Sequence, residues 1–165
     1  MTITSRLPLL AAPVLLLTTS LPGAAPPMAA PGGPYRPPIT PMTVVAPFAP
    51  PAERWLTGHR GVDLAAAPGT EVRAAGAGTV VFAGTVVDRG VVTIDHGGIR
   101  TTYEPVTAAV AVGDPVVPGT VLGVVGEGAH CSLRCLHWGA RVGDDYVEPL
   151  ALLTAYRPVL KTPRD

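Results

Sequence analysis

Aromatic residues are scarce in this chain of 165 residues: Phe, Tyr and Trp together make up 5% of it. A core cannot be assembled around large rings and falls instead to Val, Ala, Leu and Ile. Val and Ile are stiff at χ1 and pack well on a pleated surface, so the composition leans towards sheet. Charge is scarce as well. Lys and Arg number 12 and Asp and Glu 12, for a formal net charge of zero. With no basic stripe, nothing in the charge pattern suggests nucleic acid as a partner. Amphipathic helices are also missing, apart from one candidate turn at Pro149 to Thr154.

Proline, by contrast, is abundant at 20 residues, and much of it lies before residue 52. The first 30 residues have the layout of a signal peptide. Arg6 supplies a positive start, Leu7 to Leu17 an apolar stretch, and Gly23, Ala24, Ala25, Ala29 and Ala30 small residues suited to cleavage. The apolar stretch falls short of the roughly 20 residues that span a bilayer. Export is therefore expected, to the medium or the cell envelope, with the signal either cleaved or retained as an anchor. No cysteine lies near it, which argues against a lipid-modified N-terminus. Residues 31–51 read as a Pro/Ala-rich linker, semi-stiff because repeated proline removes backbone donors and favours extended chain. A folded domain is expected over 52–160, with 161–165 as a tail.

Within that domain, short apolar runs alternate with glycine. Glu71 to Ala75, Gly78 to Ala83, Val91 to Asp95, Thr101 to Tyr103, Val110 to Val112, Pro115 to Val117, Val121 to Val125 and Leu136 to Val142 each read as a strand. Asp95-His96-Gly97-Gly98 is a hairpin signal, because glycine tolerates positive φ. Many short strands at close spacing predict an all-β fold, a small antiparallel β-sandwich or partly open barrel. The cysteines are Cys131 and Cys135. Export permits a disulfide between them, provided the intervening chain turns back on itself. A pair of thiolate metal ligands is the competing reading, and the compartment favours the disulfide.

His59-Arg60-Gly61-Val62-Asp63 sets an imidazole and a carboxylate four residues apart, on one face of an extended segment. Cys135-Leu136-His137-Trp138-Gly139 is a second element in which His137 alternates with the apolar Leu136 and Trp138. Either alone is unremarkable, since a His near an Asp is usually an ordinary hydrogen-bonded pair. In order, however, His59-x-Gly-x-Asp63, Gly69-Thr-x-Val, Gly78-Thr-Val-Val, Asp95-His-Gly-Gly, Tyr103, Val112-Gly-Asp-x-Val, Leu122-Gly-x-Val-Gly, Leu136-His137 and the Asp-x-Tyr-Val-x-Pro149-Leu ending resemble the lysostaphin-like zinc metallopeptidases, endopeptidases of cell-wall peptidoglycan. The resemblance runs from about Gly58 to Leu153.

That resemblance implies a substrate groove along one sheet, with Tyr103 beside it, and one zinc ion held by His59, Asp63 and His137. Three protein ligands leave a fourth position for water, whose pKa zinc lowers to about 7. Stem or cross-bridge peptides of peptidoglycan would be the substrate, and another envelope protein a candidate partner. The family also carries two histidines that handle protons without binding metal. Cys135 and Pro105 stand at their positions here, and neither a bridged cysteine nor a proline can take up that work. Candidate substitutes are His130, beside Cys131, and Glu104, which strand alternation sets on the opposite face from Tyr103 and Pro105. Two readings follow: a weak or atypical zinc endopeptidase, or a non-catalytic module that binds peptidoglycan or regulates a hydrolase on the same scaffold. A biotinyl-like barrel would share the Gly-Asp-x-Val turns, but the single lysine, Lys161, is no carrier site.

Overall fold

The β-branched runs become strands wherever glycine or aspartate lets the chain reverse. A computed structural model of the protein describes residues 35–53, 55–128 and 134–154. Within them the chain passes through β1 (Val44–Ala46), β2 (Gly61–Ala65), β3 (Glu71–Arg73), β4 (Gly78–Val86), β5 (Arg89–Asp95) and β6 (Ile99–Glu104). It continues through β7 (Val106–Ala108), β8 (Pro115–Val116), β9 (Val121–Val125), β10 (Cys135–Val142), β11 (Asp145–Val147) and the short helix α1 (Pro149–Thr154). The larger sheet runs β1-β2-β10-β6-β5-β4-β8 with β11 beside β10, and a smaller one runs β3-β9-β7. Their pairings are antiparallel, and the larger sheet does not close into a barrel.

The hairpin between β5 and β6 forms as its sequence predicts. Gly97 and Gly98 take φ of 83° and 120°, and the Asp95 carboxylate accepts the Gly97 N–H at 2.8 Å. The core lies between the two sheets. Trp138, Tyr103, Leu64, Ile94 and Leu136 from the larger sheet are fully buried together with Val72, Val106 and Leu122 from the smaller. Burying an aliphatic side chain of this size contributes about 1.5–3 kcal/mol, so alternation along β10 is strongly specified. Leu136 and Trp138 go inward, and His137 is thereby turned to the opposite face.

Two expectations change. Val110 to Val112 is not a strand: Ala111 N–H donates to the Asp114 carboxylate at 2.8 Å and Gly113 turns at a φ of 97°. The strand falls earlier, at β7. More consequentially, the described part of the presumed linker is not a spacer. Ile39 is 2% exposed and belongs to the core, Arg73 N–H donates to Pro38 C=O at 2.8 Å, and β1 pairs with β2. Proline lacks a donor but keeps its carbonyl, which suits it to an edge strand.

Candidate metal centre

The site is built where β2 and β10 lie side by side. His137 and Asp63 are direct cross-strand partners, and the same face of β2 leads back to His59 just before it. His59 is fixed by an isolated bridge to Ala49, with Ala49 N–H donating to His59 C=O at 3.0 Å and His59 N–H donating to Ala49 C=O at 2.8 Å. Three atoms converge. His59 Nε2 lies 3.0 Å from Asp63 Oδ1, His137 Nδ1 lies 2.8 Å from that oxygen, and the two ring nitrogens are 3.1 Å apart. The side chains of Asp63 and His137 are 5% and 12% exposed, so water screens this cluster only partly.

A test of fit comes from the proton count. His59 Nδ1 lies 2.6 Å from the Pro47 carbonyl oxygen. A carbonyl can only accept, so Nδ1 carries the hydrogen, and in the neutral ring Nε2 presents a lone pair. That lone pair points at a carboxylate oxygen and a second imidazole nitrogen. Such a donor set can hold a shared cation. Ligands about 2.0–2.1 Å from one tetrahedral ion stand roughly 3.3 Å apart, within a few tenths of an ångström of the separations found here. Two imidazoles and one carboxylate suit zinc. Gly61 completes the geometry: a Cβ there would come within 2.6 Å of His137 Nε2 and 2.5 Å of Trp138 O, so only glycine lets the ring lie across β2.

An open groove of about 650 Å³ runs from this cluster along the sheet, lined among others by Glu104, Thr102, Gly139, Arg100, Arg141 and Phe82. Tyr103 is not part of it. Its side chain is fully buried, its hydroxyl oxygen accepts Ala75 N–H at 2.9 Å and lies 2.8 Å from Thr101 Oγ1. Burial pushes its pKa up to about 12. The reason is its cross-strand pairing with Trp138, which commits both rings to the core. Strand alternation then works in Glu104's favour. It faces outward, directly opposite His137, and its carboxylate accepts from Arg89 Nε at 3.2 Å. Glu104 thus joins the groove that Tyr103 leaves.

Cys135 is 2% exposed and pairs with Ala65 on β2, and Pro105 is buried. Cys131 and His130 lie outside the described residues, as do residues 1–34. His96 serves the core: it is 5% exposed, Nδ1 donates to Ala77 C=O at 2.8 Å and Nε2 lies 2.7 Å from Thr101 Oγ1. Sequence reasoning missed Pro47, whose only signal is its place twelve residues before His59. It also missed Arg141, which period-two alternation sets on the face of His137.

Residues 57–149 match the sequence model described as Peptidase family M23. An uncharacterized protein of Mycobacterium tuberculosis, Rv2891, is 50% identical over 150 residues, covering 85% of this chain and 59% of that protein. The chain therefore spans somewhat more than half the length of this relative. The DD-carboxypeptidase/endopeptidase Mpg of Neisseria meningitidis is 34% identical over 96 residues, 57% of this chain and 22% of Mpg. Among solved structures, Helicobacter pylori Csd3 is similar with a TM-score of 0.62 and 27% identity, over 74% of this chain and 33% of Csd3.

Proposed function

The chain belongs to peptidase family M23, a family of peptidoglycan-acting enzymes, and on that premise we propose that it is an exported zinc-binding peptidase domain acting on peptidoglycan peptides. The observation that carries the reading is the convergence of His59 Nε2, Asp63 Oδ1 and His137 Nδ1 within 4.8 Å of one another. These three residues would hold zinc, which would supply Lewis acidity towards a peptide carbonyl and a water. The chain's own residues do the rest. Pro47 C=O holds His59 in the tautomer that offers Nε2. Gly61 admits the His137 ring. The groove beyond them receives an extended peptide, and Glu104, opposite His137, is the carboxylate placed to hold or move a proton in place of the missing histidines. A Cys131–Cys135 disulfide belongs to the same proposal, supported by the absence of a free cysteine among the described residues.

The experiment is zinc content, followed by wall hydrolysis. Purified protein should carry close to one zinc per chain, His137→Ala should carry none, and fragments should be released from purified peptidoglycan only by the first. No zinc in either protein, after refolding with the metal, would sink the reading. A second reading is favoured by a specific observation: Pro105 and Cys135 leave the groove without either proton-handling histidine. General acid–base groups contribute about 10² to 10⁴ in rate, so a domain relying on Glu104 alone could bind wall peptides while scarcely cleaving them. Zinc present, peptidoglycan pulled down and no fragments released would select that second reading.

A further inference from the structure

The groove has a charge gradient that the metal centre does not explain. On β10, His137, Gly139 and Arg141 share its floor. Across on β6 they face Glu104, Thr102 and Arg100 respectively. The metal end therefore carries a carboxylate, itself paired with Arg89, and the far end carries two arginines directly opposite each other. Like charges in such a cross-strand pair are destabilising. Arg100 is compensated by Asp95, whose Oδ2 lies 3.0 Å from its Nε, but the Arg141 side chain makes no ion pair or hydrogen bond among the described residues. Arg60 adds a third guanidinium at this end, 5.6 Å above the ring of Tyr146, and Tyr146 pairs with Arg141 across β11. Asp95 and Asp144 line an adjoining hollow with Arg100 and Arg141, and Glu53, Asp144 and Asp145 line another with Arg60 and Arg141; none of these carboxylates lies on the floor between His137 and Arg141. Gly139 and Thr102 leave that floor low, and Phe82, 38% exposed, walls it.

We propose that Arg141, with Arg100 opposite, forms a subsite for a carboxylate on the bound peptide, so that the substrate is an anionic stem peptide rather than a neutral glycine bridge. This rests on the peptidase-type reading of the groove. Arg141 follows His137 by four residues, about 13 Å along the strand, and an extended peptide covers that distance in roughly four residues. The carboxylate, from an acidic side chain or the peptide's own terminus, thus belongs three to four residues from the bond held at the metal centre. Anchoring that carboxylate at the arginine end sets the direction in which the peptide lies. Arginine suits the task because its planar fork meets both carboxylate oxygens at once.

The test is fluorescence anisotropy with the full chain and a labelled peptidoglycan stem tetrapeptide, either with free carboxylates or with all of them amidated. The free form should bind about tenfold tighter or better, and the margin should shrink as salt rises. Arg141→Gln should bring the free form down to the level of the amidated one, and Arg141→Lys should restore part of the margin, both with unchanged zinc content and a melting temperature no lower than that of the unaltered protein. Equal binding of the two peptides, no binding of the free form, or an unchanged margin in Arg141→Gln overturns the subsite. The two proposals fail separately. A carboxylate margin without zinc sinks the peptidase reading alone, and zinc-dependent wall hydrolysis without a margin sinks the subsite alone.

Discussion

The carbonyl oxygen of Pro47 stands 2.6 Å from Nδ1 of His59, which joins a segment with the composition of a linker to the centre of the candidate site. The same segment supplies Ala49, which exchanges two backbone hydrogen bonds with His59, and Ala46, which pairs with Asp63. Two of the three converging side chains are thus held on one flank by residues 46–49.

A protein that begins at residue 52 should therefore bind zinc more weakly than one that begins at residue 35. Loss of a hydrogen-bond partner behind a metal-ligating histidine costs about 10- to 100-fold in affinity, and loss of Ile39 from the core lowers stability in addition. Competition against a chelator of known affinity measures the first effect and thermal melting the second. Equal zinc affinity of the two proteins would show that residues 35–51 are dispensable to the site.

Gly61 yields a sharper test because its neighbours are so close. An added methyl would meet His137 Nε2 at 2.6 Å and the Trp138 carbonyl at 2.5 Å. The ring can swing aside, but the carbonyl belongs to the β2–β10 ladder and cannot. Gly61→Ala should therefore weaken zinc binding and lower stability by about 1–3 kcal/mol, the usual range for overpacking. Gly69→Ala is the control for this comparison, since nothing lies within 4 Å of a Cβ there. Its cost should come from its φ of +85° alone, and its zinc affinity should be unchanged.

How much of this was legible in the sequence depends on which physical signal each residue carries. The convergence of His59, Asp63 and His137 was legible because β-structure fixes the spacing that sets side chains on one face, so the motif reads without any view of the fold. The all-β sandwich was legible from β-branched runs and turn glycines. Tyr103 was set beside the groove, and Glu104, a candidate for the proton-handling role, on the other face, because a strand's alternation gives two faces but not which one is buried. That choice is made by the cross-strand neighbour, Trp138, and pairing is not written locally. Residues 35–51 were read as a spacer because proline dominates their composition. The contrary signal was Ile39 and Met42, apolar residues that pack with the core but show no period. Arg141 was in plain view and carried no meaning until Arg100 was found opposite it.

Tyr103→Phe checks the reassignment. The hydroxyl oxygen accepts Ala75 N–H at 2.9 Å in a fully buried setting, and removing it strands a backbone donor away from water. That costs about 1–3 kcal/mol, which urea or thermal unfolding would register. Zinc content and tetrapeptide affinity should be those of the unaltered protein, because the ring faces away from the groove. A variant of unchanged stability but impaired peptide binding would return Tyr103 to the groove.

His96 should make stability depend on pH in a direction that its surroundings fix. Burial lowers its pKa below the usual 6.5, although the hydrogen bond to Ala77 and the nearby Asp95 carboxylate act the other way. The unfolded chain therefore takes up a proton at this residue before the folded one does. As pH falls through about 6.5 the unfolded state is favoured by that proton, so the stabilisation from a neutral His96 is full above 6.5 and is lost on the way down to the lowered folded value. Other groups contribute to any pH profile of stability, so the clean measurement is a difference. Metal-free protein and metal-free His96→Gln are melted in parallel from pH 7.5 to 5.0. Glutamine offers a donor and an acceptor but no titration, so the melting temperature of the unaltered protein should fall more steeply over that range. Parallel curves would mean that His96 keeps its ordinary pKa in the folded protein, and that its hydrogen bonds to Ala77 and Thr101 offset its burial.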